Sequence, residues 1–253
     1  MTPEWDAAPG VGALMTTRRG GVSPPPWDSL NLGLASGDEL GRVEQNRARL
    51  AAAIGARPVY LRQVHGAGVV RVDAASLDGP PPDADAAWTD APGVACAVLV
   101  ADCLPVLLAA PLGRAVAAAH AGWRGLAAGV LEHTVQALCS GARCDAGALV
   151  AWLGPCIGPR EFEVGADVLQ AFGEPAAPAD RPHFRYRPRA DGQPRWRADL
   201  AGLARERLLA IGLRRISGGG WCTVEDRSRF FSFRRDGITG RMAAAAWIRA
   251  PAA

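Results

Sequence analysis

An aspartate and a cysteine interrupt the most apolar part of this sequence. Asp102 and Cys103 lie between two runs of small and β-branched residues, Val94 to Val100 and Pro105 to Ala110, which are typical of strands buried on both faces. An ionisable pair in such a run is costly unless it has a partner. A lone buried cysteine most often acts as a small hydrophobic residue, so a structural and a chemical role are both open for Cys103 at this point.

A histidine further along the chain is expected to lie close to Cys103. His120 follows a third apolar run, which comes after a glycine-containing turn of the kind that joins antiparallel strands. If Leu112 and Gly113 are the central turn residues, Pro105 faces His120 across a β-hairpin. Cys103 and His120 are then diagonal neighbours on one face, about 7–8 Å apart at the backbone, and can reach one metal or one substrate atom. A turn longer by one residue would put them on opposite faces.

Two further residues are expected near this hairpin end. Apolar residues at helical spacing from Leu126 to Leu138 predict a helix that begins soon after His120. A helix N terminus attracts anions, and Arg124 would add to that attraction. His65 ends the alternating, strand-like segment Val59 to His65. Two strand-end histidines and one strand-end cysteine therefore form a candidate metal set.

The rest of the chain supplies elements that would position these residues. Asn46 and Arg47 lie on a helix closed by Gly55. Segment 174–194 is rich in proline and arginine and is expected to be an exposed loop. The other expected elements are an opening strand over 12–18, a strand over 69–72, a buried strand over 148–153, a short helix over 164–172, a helix over 199–211 with Asp199 near its start, and a last strand over 243–248.

The composition argues against several functional classes. The formal net charge is +3 and all 28 basic residues are arginine, so nucleic-acid binding is not implied. The six cysteines contain no C-x-x-C pair and no basic-then-apolar leader opens the chain, which predicts a reducing cytoplasmic location. The apolar segment 94–112 contains Asp102 and Pro105, so no membrane span is expected. A chain of 253 residues could hold one domain or two, and no strong linker divides it.

Several sequence blocks span nearly the whole chain: Ser29-Leu30-Asn31-Leu32-Gly33, Asn46-Arg47, Gln63-Val64-His65-Gly66, Ala101-Asp102-Cys103-Leu104-Pro105, His120-Ala121-Gly122-Trp123-Arg124-Gly125, Gly154-Pro155-Cys156-Ile157-Gly158-Pro159, Phe162-Glu163-Val164-Gly165, and Phe231 to Gly237 with Gly240-Arg241. In this order they resemble the laccase-domain family, whose members are described at different times as multicopper polyphenol oxidases and as purine nucleoside phosphorylases. Arg160 and Glu161 stand where many relatives carry further cysteines, and Phe233 replaces a common tyrosine.

The resemblance implies a fold and a metal. The fold is α+β, a single domain over 1–253 with mixed and antiparallel β-sheets packed with helices. The metal is one zinc ion held by His65, Cys103 and His120. Three nitrogen and sulfur ligands with a fourth position left open are typical of a catalytic zinc site. Copper is disfavoured because multicopper oxidase clusters need many histidines and this chain has four.

The resemblance also implies an activity. Purine nucleosides (adenosine, inosine, guanosine and methylthioadenosine) would react with phosphate to give the free base and ribose 1-phosphate, with adenosine deamination as a related reaction. Phosphorolysis calls for arginines and backbone amides that hold the phosphate against a cation-like sugar carbon. The residues expected to carry catalysis are Cys103, His120 and Arg124, and those expected to contact substrate are Asn31, Arg47, Gln63 and Arg241.

Other functions remain open at this point. Cys103 could be the nucleophile of a cysteine hydrolase that uses His120 as its base and needs no metal. A third interpretation, from a different class, is a factor that edits peptidoglycan precursors, a role suggested for bacterial relatives. Polyphenol oxidase activity is less favoured for the same reason as copper. The expected partners are a purine nucleoside and phosphate, bound by a monomer that engages neither nucleic acid nor membrane.

Overall fold

Residues 1–250 are described by a computed structural model, in which the apolar runs in the middle of the chain form the central strands. The strands are β1 (Val11–Met15), β2 (Arg57–Tyr60), β3 (Val69–Arg71), β4 (Ala86–Thr89), β5 (Val94–Val100), β6 (Leu104–Ala109), β7 (Val116–Ala121), β8 (Val150–Leu153), β9 (Glu163–Val164), β10 (Phe184–Tyr186), β11 (Trp196–Ala198), β12 (Arg215–Gly218) and β13 (Met242–Ile248). The helices are α1 (Leu40–Ile54), α2 (Trp123–Ala127), α3 (Val130–Ala142), α4 (Ala166–Ala171), α5 (Leu200–Ala210) and α6 (Phe233–Asp236).

Two sheets stack face to face. The larger sheet has the strand order β12-β8-β6-β7-β4-β3, and the other has the order β1-β13-β5-β2. Both are mixed, because β12 pairs with β8, β3 with β4 and β2 with β5 in parallel while the other neighbours are antiparallel. A small antiparallel sheet, β10-β11-β9, lies apart from them. This architecture confirms the predicted α+β class.

Strands β6 and β7 form the predicted hairpin and are buried on both faces. Val106 and Leu108 face a core that includes helix residues, whereas Leu107 and Ala109 face the core between the two sheets. Alternate residues of a strand point to opposite faces, so every position of these two strands is buried between layers. The end of this hairpin is therefore held on a densely packed support.

Helices cover the outer faces of the stacked sheets. Helix α1 packs Leu50 against Ala243 of the smaller sheet, and α3 packs against β7 of the larger one. Helix α1 ends as predicted at Gly55, whose left-handed conformation lets its N–H donate to Ala51. Helix α5 begins as predicted after Asp199, whose carboxylate accepts from the Gly202 N–H. In the part of the chain that the structure describes, no helix is long and apolar enough to cross a membrane.

The helix predicted over 126–138 is wrong in its extent. The structure has two helices there, α2 and α3, and the first begins at Trp123. The break falls at Gly129, which has a φ of 90°, a left-handed conformation that favours glycine. The consequence for the site is that Arg124 lies on a helix of five residues, whose axis is set separately from that of α3.

The exposed loop predicted over 174–194 is also wrong in part. It contains β10, and Phe184 of that strand is fully buried beside Trp196 and Ala198 in the helix-side core. The high content of proline and arginine gave no sign of this strand, because it is short and only Phe184 of its three residues is fully buried. Strands β10 and β11 pair in an antiparallel arrangement that anchors the whole segment.

Candidate metal centre

Three side chains that are far apart in sequence meet at one end of the larger sheet. The ligand atoms of His65, Cys103 and His120 all lie within 4.8 Å of one another, and the Cys103 Sγ is 3.9 Å from the His65 Nε2. His120 is buried, Cys103 is partly exposed and His65 is exposed. Two imidazoles and a thiol in this arrangement could hold one metal ion, and the exposed side leaves access for a small molecule.

The β6–β7 hairpin places Cys103 and His120 together. Pro105 pairs with His120, so the predicted register is confirmed. Cys103 directly precedes β6 and lies beside Gly122, which follows β7. A Cβ atom on Gly122 would lie 3.1 Å from both the Cys103 Sγ and the His65 Cδ2. A glycine at this position therefore leaves the space in which the three ligands converge.

Asp85 joins the two histidine-bearing segments and was missed in the sequence. Its fully buried carboxylate lies 2.8 Å from the His120 Nδ1. It also accepts from the backbone N–H groups of Val64 (3.2 Å), His65 (3.0 Å) and Gly66 (2.7 Å). Burial raises the pKa of Asp85, but these hydrogen bonds outweigh burial and hold it below its usual value. The Nδ1–H of His120 is thus directed at a carboxylate, which leaves Nε2 for a metal.

The conformation of His65 differs from the prediction. Strand β2 ends at Tyr60, so His65 lies in a turn and does not end a strand. Its φ of 60° is uncommon for a residue with a side chain. This conformation follows from the hydrogen bonds to Asp85, because the N–H groups of three consecutive residues can all point at one carboxylate only in a tight turn. Gln63 secures the same segment, since its amide group exchanges hydrogen bonds of 2.8 and 2.7 Å with the backbone of Leu99.

Asp102 has the hydrogen-bond partners expected for an ionisable residue in an apolar run. Its Oδ1 accepts from the Thr223 hydroxyl at 2.6 Å, and its Oδ2 accepts from the Arg234 N–H at 2.6 Å. Its backbone carbonyl accepts from the Ile157 N–H at 2.9 Å. Asp102 has a φ of 96°, and the three contacts hold it in this strained conformation. Cys103 is thereby presented from a fixed segment of backbone.

The thiol of Cys103 and the imidazole of His120 favour each other's charged form. Burial alone would raise the pKa of Cys103, but the positive charge and hydrogen bond of His120, with a smaller effect of His65, lower it to about 6. Burial alone would lower the pKa of His120, but the charge of Cys103 and the hydrogen bond to Asp85 raise it to about 9. The site is therefore prepared to present a thiolate, the form of cysteine that binds metals and attacks electrophiles.

The three arginines singled out in the sequence have different surroundings. Arg124 is exposed, and its guanidinium lies 4.3 Å from the centroid of the Trp123 ring. Arg47 is half-buried, stacks 3.8 Å from the Tyr60 ring centroid, and donates from Nε to the Leu32 carbonyl. Arg241 donates only to backbone carbonyls from its side chain. Within residues 1–250, none of the three forms a salt bridge, so their charges are available to an anion.

Asn31 contacts the backbone of Arg241, and all the hydrogen-bonding positions of its side chain are occupied. Its Oδ1 accepts from the N–H groups of Gly33 (3.0 Å) and Arg241 (2.9 Å). Its Nδ2 donates to Ser36 (2.7 Å) and Asp38 (3.0 Å). Since an amide side chain offers two donors and two good acceptor directions, Asn31 is saturated. Its role in the structure is to hold the 31–33 loop beside Arg241.

The remaining two histidines lie away from the three ligands. The Nδ1 of His133 is 3.1 Å from the Ala67 carbonyl, and the Nε2 of His183 is 2.8 Å from Glu206. Within residues 1–250, His65, Cys103 and His120 form the one group of three or more His, Cys, Asp or Glu side chains that could hold a metal ion. The geometry thus matches a single metal ion and provides no ligands for a multinuclear cluster.

Comparison with known proteins gives a consistent family relationship. Residues 12–249 match the family model described as multi-copper polyphenol oxidoreductase laccase. A protein of Pseudomonas aeruginosa named purine nucleoside phosphorylase is 49% identical over 249 residues, which cover 98% of each chain. The purine nucleoside phosphorylase YfiH of Escherichia coli is 46% identical over 253 residues, again with 98% of each chain covered.

Solved structures support the same relationship. The crystal structure of a Neisseria meningitidis protein superposes with a TM-score of 0.88 at 45% identity and covers 99% of each chain. The crystal structure of YlmD from Geobacillus stearothermophilus gives a TM-score of 0.85 at 35% identity, covering 96% of this chain and 93% of that one. The similarity in sequence and in structure therefore extends over nearly the full length of the molecule.

Proposed function

This chain belongs to the multi-copper polyphenol oxidoreductase laccase family, and from that membership we propose that it is a zinc-dependent purine nucleoside phosphorylase. The names of its relatives in Pseudomonas aeruginosa and Escherichia coli support the reaction class. The observation that carries the proposal is the convergence of His65, Cys103 and His120 at a partly exposed site with a thiolate-favouring environment.

The donor set fits zinc. Imidazole nitrogen and thiolate sulfur are ligands that this metal prefers, and three protein ligands are typical of its catalytic sites. In metal-binding histidines, the ring nitrogen that does not bind the metal usually has a hydrogen-bond partner such as a carboxylate. For His120, this partner is Asp85. Bound there, zinc would supply a Lewis acid at a partly exposed position that substrate could reach. Copper oxidase chemistry is less favoured, because His133 and His183 are engaged elsewhere.

In the proposed reaction, phosphate replaces the base at the sugar. The bond from C1′ to N9 of the purine breaks and a bond from C1′ to a phosphate oxygen forms, while the base leaves with the electron pair and gains a proton. Adenosine, inosine, guanosine and methylthioadenosine are the proposed substrates. The sugar carbon becomes cation-like, so the phosphate must be held close to it and oriented. Adenosine deamination, the related activity, would need an activated water beside the purine ring.

Three arginines are proposed to hold the phosphate. Arg124 is exposed and unpaired close to His120, and its guanidinium could bind phosphate in a bidentate manner. Arg47 and Arg241 add a second argument, because burial, the largest effect on each, lowers the pKa of both guanidinium groups. A partly buried cation that forms no salt bridge is costly, and a phosphate bound beside either guanidinium group would relieve that cost.

The phosphate proposal is tested by comparing two activities of the same variants. Arg124→Ala should depress adenine formation far more than inosine formation, because only phosphorolysis uses the anion, and Arg124→Lys should raise the phosphate requirement. Arg114→Ala, in the turn at the other end of the hairpin, is the matched control. Equal losses of both activities in Arg124→Ala, or loss of zinc, would mean that Arg124 supports the site and that Arg47 and Arg241 hold the phosphate.

The central proposal is tested by metal content and by products. Purified protein should contain about one equivalent of zinc, and His65→Ala, Cys103→Ala and His120→Ala should each lose it with little loss of fold, because the ligands lie on an independently packed core. Adenosine should give adenine only when phosphate is present. Zinc retained in all three variants would contradict the metal assignment, and adenine formation without phosphate would mean hydrolysis.

A cysteine hydrolase is the second candidate, favoured by one arrangement. Cys103, His120 and Asp85 form a thiol, imidazole and carboxylate series, as in enzymes that use a cysteine nucleophile. This function requires Cys103 to be free of metal. It is supported if the purified protein lacks zinc and Cys103 alkylates without a chelator, and it is rejected if alkylation requires chelation.

A further inference from the structure

One aromatic side chain is exposed next to the metal centre. Among the large apolar side chains that residues 1–250 leave exposed, Phe233 is the one aromatic ring, with 57% of its surface accessible. An aromatic ring left in water gives up a large apolar burial, and such rings are common where a flat ligand binds. The nucleoside chemistry proposed above assigns no residue to the purine base.

The position of Phe233 is fixed relative to Cys103. Phe233 is the first residue of α6, and the fully buried Ser232 caps this helix by accepting from the Arg235 N–H at 3.2 Å. The next residue, Arg234, donates its N–H to the Asp102 carboxylate at 2.6 Å. Since Asp102 directly precedes Cys103, the ring is attached to the segment that carries the thiol by a short and rigid connection.

A cation lies against the Phe233 ring, and an exposed apolar side chain neighbours one of the proposed ligands in sequence. The Arg241 guanidinium lies 5.6 Å from the centroid of the Phe233 ring. On the histidine side, the exposed Val64 directly precedes His65. An aromatic ring and a cation thus lie together beside the segment that carries Cys103, which suits a flat base joined to a polar sugar.

We propose that the purine ring of the substrate stacks on Phe233, which rests on the proposed nucleoside phosphorylase function. Stacking on an aromatic side chain tolerates different bases, because every base has a π-face. A phenyl ring offers no hydrogen-bond donor or acceptor, so Phe233 contributes affinity without selecting among purine substituents. Phe233 is accordingly a residue for base binding, and the anion is held separately by arginines.

The test uses the zinc-loaded, full-length protein with saturating phosphate. Phe233→Ala should raise the KM for adenosine about 5-fold to 100-fold, the range expected for loss of one base–aromatic stack. The same loss is expected for inosine, whereas the KM for phosphate and the zinc content should be unchanged. Phe233→Tyr should behave like the wild type. Leu112→Ala removes an even more exposed apolar side chain, 79% accessible, from the far hairpin turn and should change neither constant.

A second variant and a binding measurement keep the inference separate from the proposed function. Phe233→Leu keeps the apolar bulk but removes the ring. If the purine stacks on the ring, this variant should have the raised KM of Phe233→Ala. A wild-type KM in Phe233→Leu would show that only bulk matters and would overturn the inference. Calorimetry with free adenine measures base binding without turnover. A wild type that binds adenine through Phe233 but cleaves no nucleoside would contradict only the phosphorylase. If Phe233→Ala and Phe233→Leu both kept the KM values and the adenine affinity of the wild type, only the stacking role would be refuted.

Discussion

At the scale of single residues, Asp85 controls the geometry of two of the proposed metal ligands at once. It fixes the ring of His120 through Nδ1 and curls the backbone at His65 through three amides. Outer partners of this kind raise metal affinity because they orient the ligand and set its tautomer. The positions of both histidines therefore depend on this one buried carboxylate.

Replacing this carboxylate should weaken the site and the fold together. We expect Asp85→Asn to lower zinc affinity about 10-fold to 100-fold, since the amide presents an N–H group to donors that need an acceptor. The free energy of unfolding should fall by about 1–3 kcal/mol because buried N–H groups lose their partner. Competition with a chelator and urea denaturation measure the two effects.

The matched control for this variant is Asp90→Asn. Asp90 forms a surface ion pair with Arg71, so its neutralisation should change stability by less than about 0.5 kcal/mol and leave zinc affinity alone. Unchanged zinc affinity in Asp85→Asn would show that the carboxylate is not needed to position the ligands.

The charge pair between Cys103 and His120 predicts a pH dependence for the metal-free protein. The pKa of Cys103 is lowered from 9.0 to about 6, so its contribution to stability is complete above pH 9 and is lost as the pH falls through 6. The pKa of His120 is raised from 6.5 to about 9, so its contribution is complete below pH 6.5 and is lost as the pH rises through 9. The thiolate and imidazolium therefore coexist between about pH 6 and 9.

The rate of Cys103 alkylation measures the fraction of thiolate at each pH directly, because the thiolate is the reactive form. In chelator-treated native protein, the rate of iodoacetamide modification should rise with a midpoint near pH 6. In urea, the midpoint should move up to the ordinary thiol range, and zinc should suppress the native reaction. The buried Cys96, whose pKa is raised by burial, serves as the internal unreactive control. Equal midpoints in native and unfolded protein would rule out the charge pair.

At the scale of elements, the site depends on close contact between α2 and the turn that carries His65. A Cβ atom added to Gly125 of α2 would lie 2.5 Å from the Gly66 carbonyl oxygen, which is a backbone atom that cannot swing aside. The turn and the helix are thus held at a distance that only glycine permits. The contact affects where the proposed metal ligands lie, since the Gly66 N–H donates a hydrogen bond to Asp85.

The substitution Gly125→Ala makes this contact testable. In an ordinary helix, replacing glycine by alanine stabilises by about 0.5–1 kcal/mol. Here we expect destabilisation of about 1–3 kcal/mol and weaker zinc binding, because α2 or the His65 turn must move. Gly68→Ala is the control, since its Cβ would make an ordinary contact of 3.7 Å. A stabilised Gly125→Ala variant with wild-type zinc affinity would show that the two elements can separate freely.

At the scale of the whole molecule, the metal centre joins parts of the chain that otherwise meet only through the core. His65 comes from the turn between β2 and β3, and Cys103 and His120 come from the central hairpin of the larger sheet. A metal that bridges them binds the folded state and not the unfolded one. Its binding free energy is therefore added to the stability of the fold.

Zinc should accordingly stabilise the protein in proportion to its saturation. At a free concentration 100 times the Kd, the expected gain is about 2.7 kcal/mol, visible as a higher Tm in thermal unfolding. EDTA should reverse the shift. His65→Ala, which removes the exposed ligand, should unfold at the same temperature with and without zinc, and a zinc-dependent Tm in that variant would place the binding site elsewhere.

The sequence by itself determined the elements that depend on local rules. The β6–β7 register followed from the continuous apolar runs and from a turn centred on Leu112 and Gly113, the end of α1 followed from Gly55, and the start of α5 followed from Asp199. These features depend on neighbours a few residues apart, so spacing is sufficient to predict them. The sequence also predicted His65, Cys103 and His120 as a candidate metal set, and the resemblance of several blocks to one family implied that the metal is zinc.

Only the tertiary structure decided how the site is held. Asp85 is 35 residues from His120 in sequence, and Asp102 is 121 residues from Thr223, so no local pattern could pair them. The burial of Phe184 and the position of Phe233 beside Arg241 likewise depend on which layers pack together. Contacts of this range form when the sheets stack and the loops between them close, because packing in three dimensions, and not sequence spacing, selects each partner.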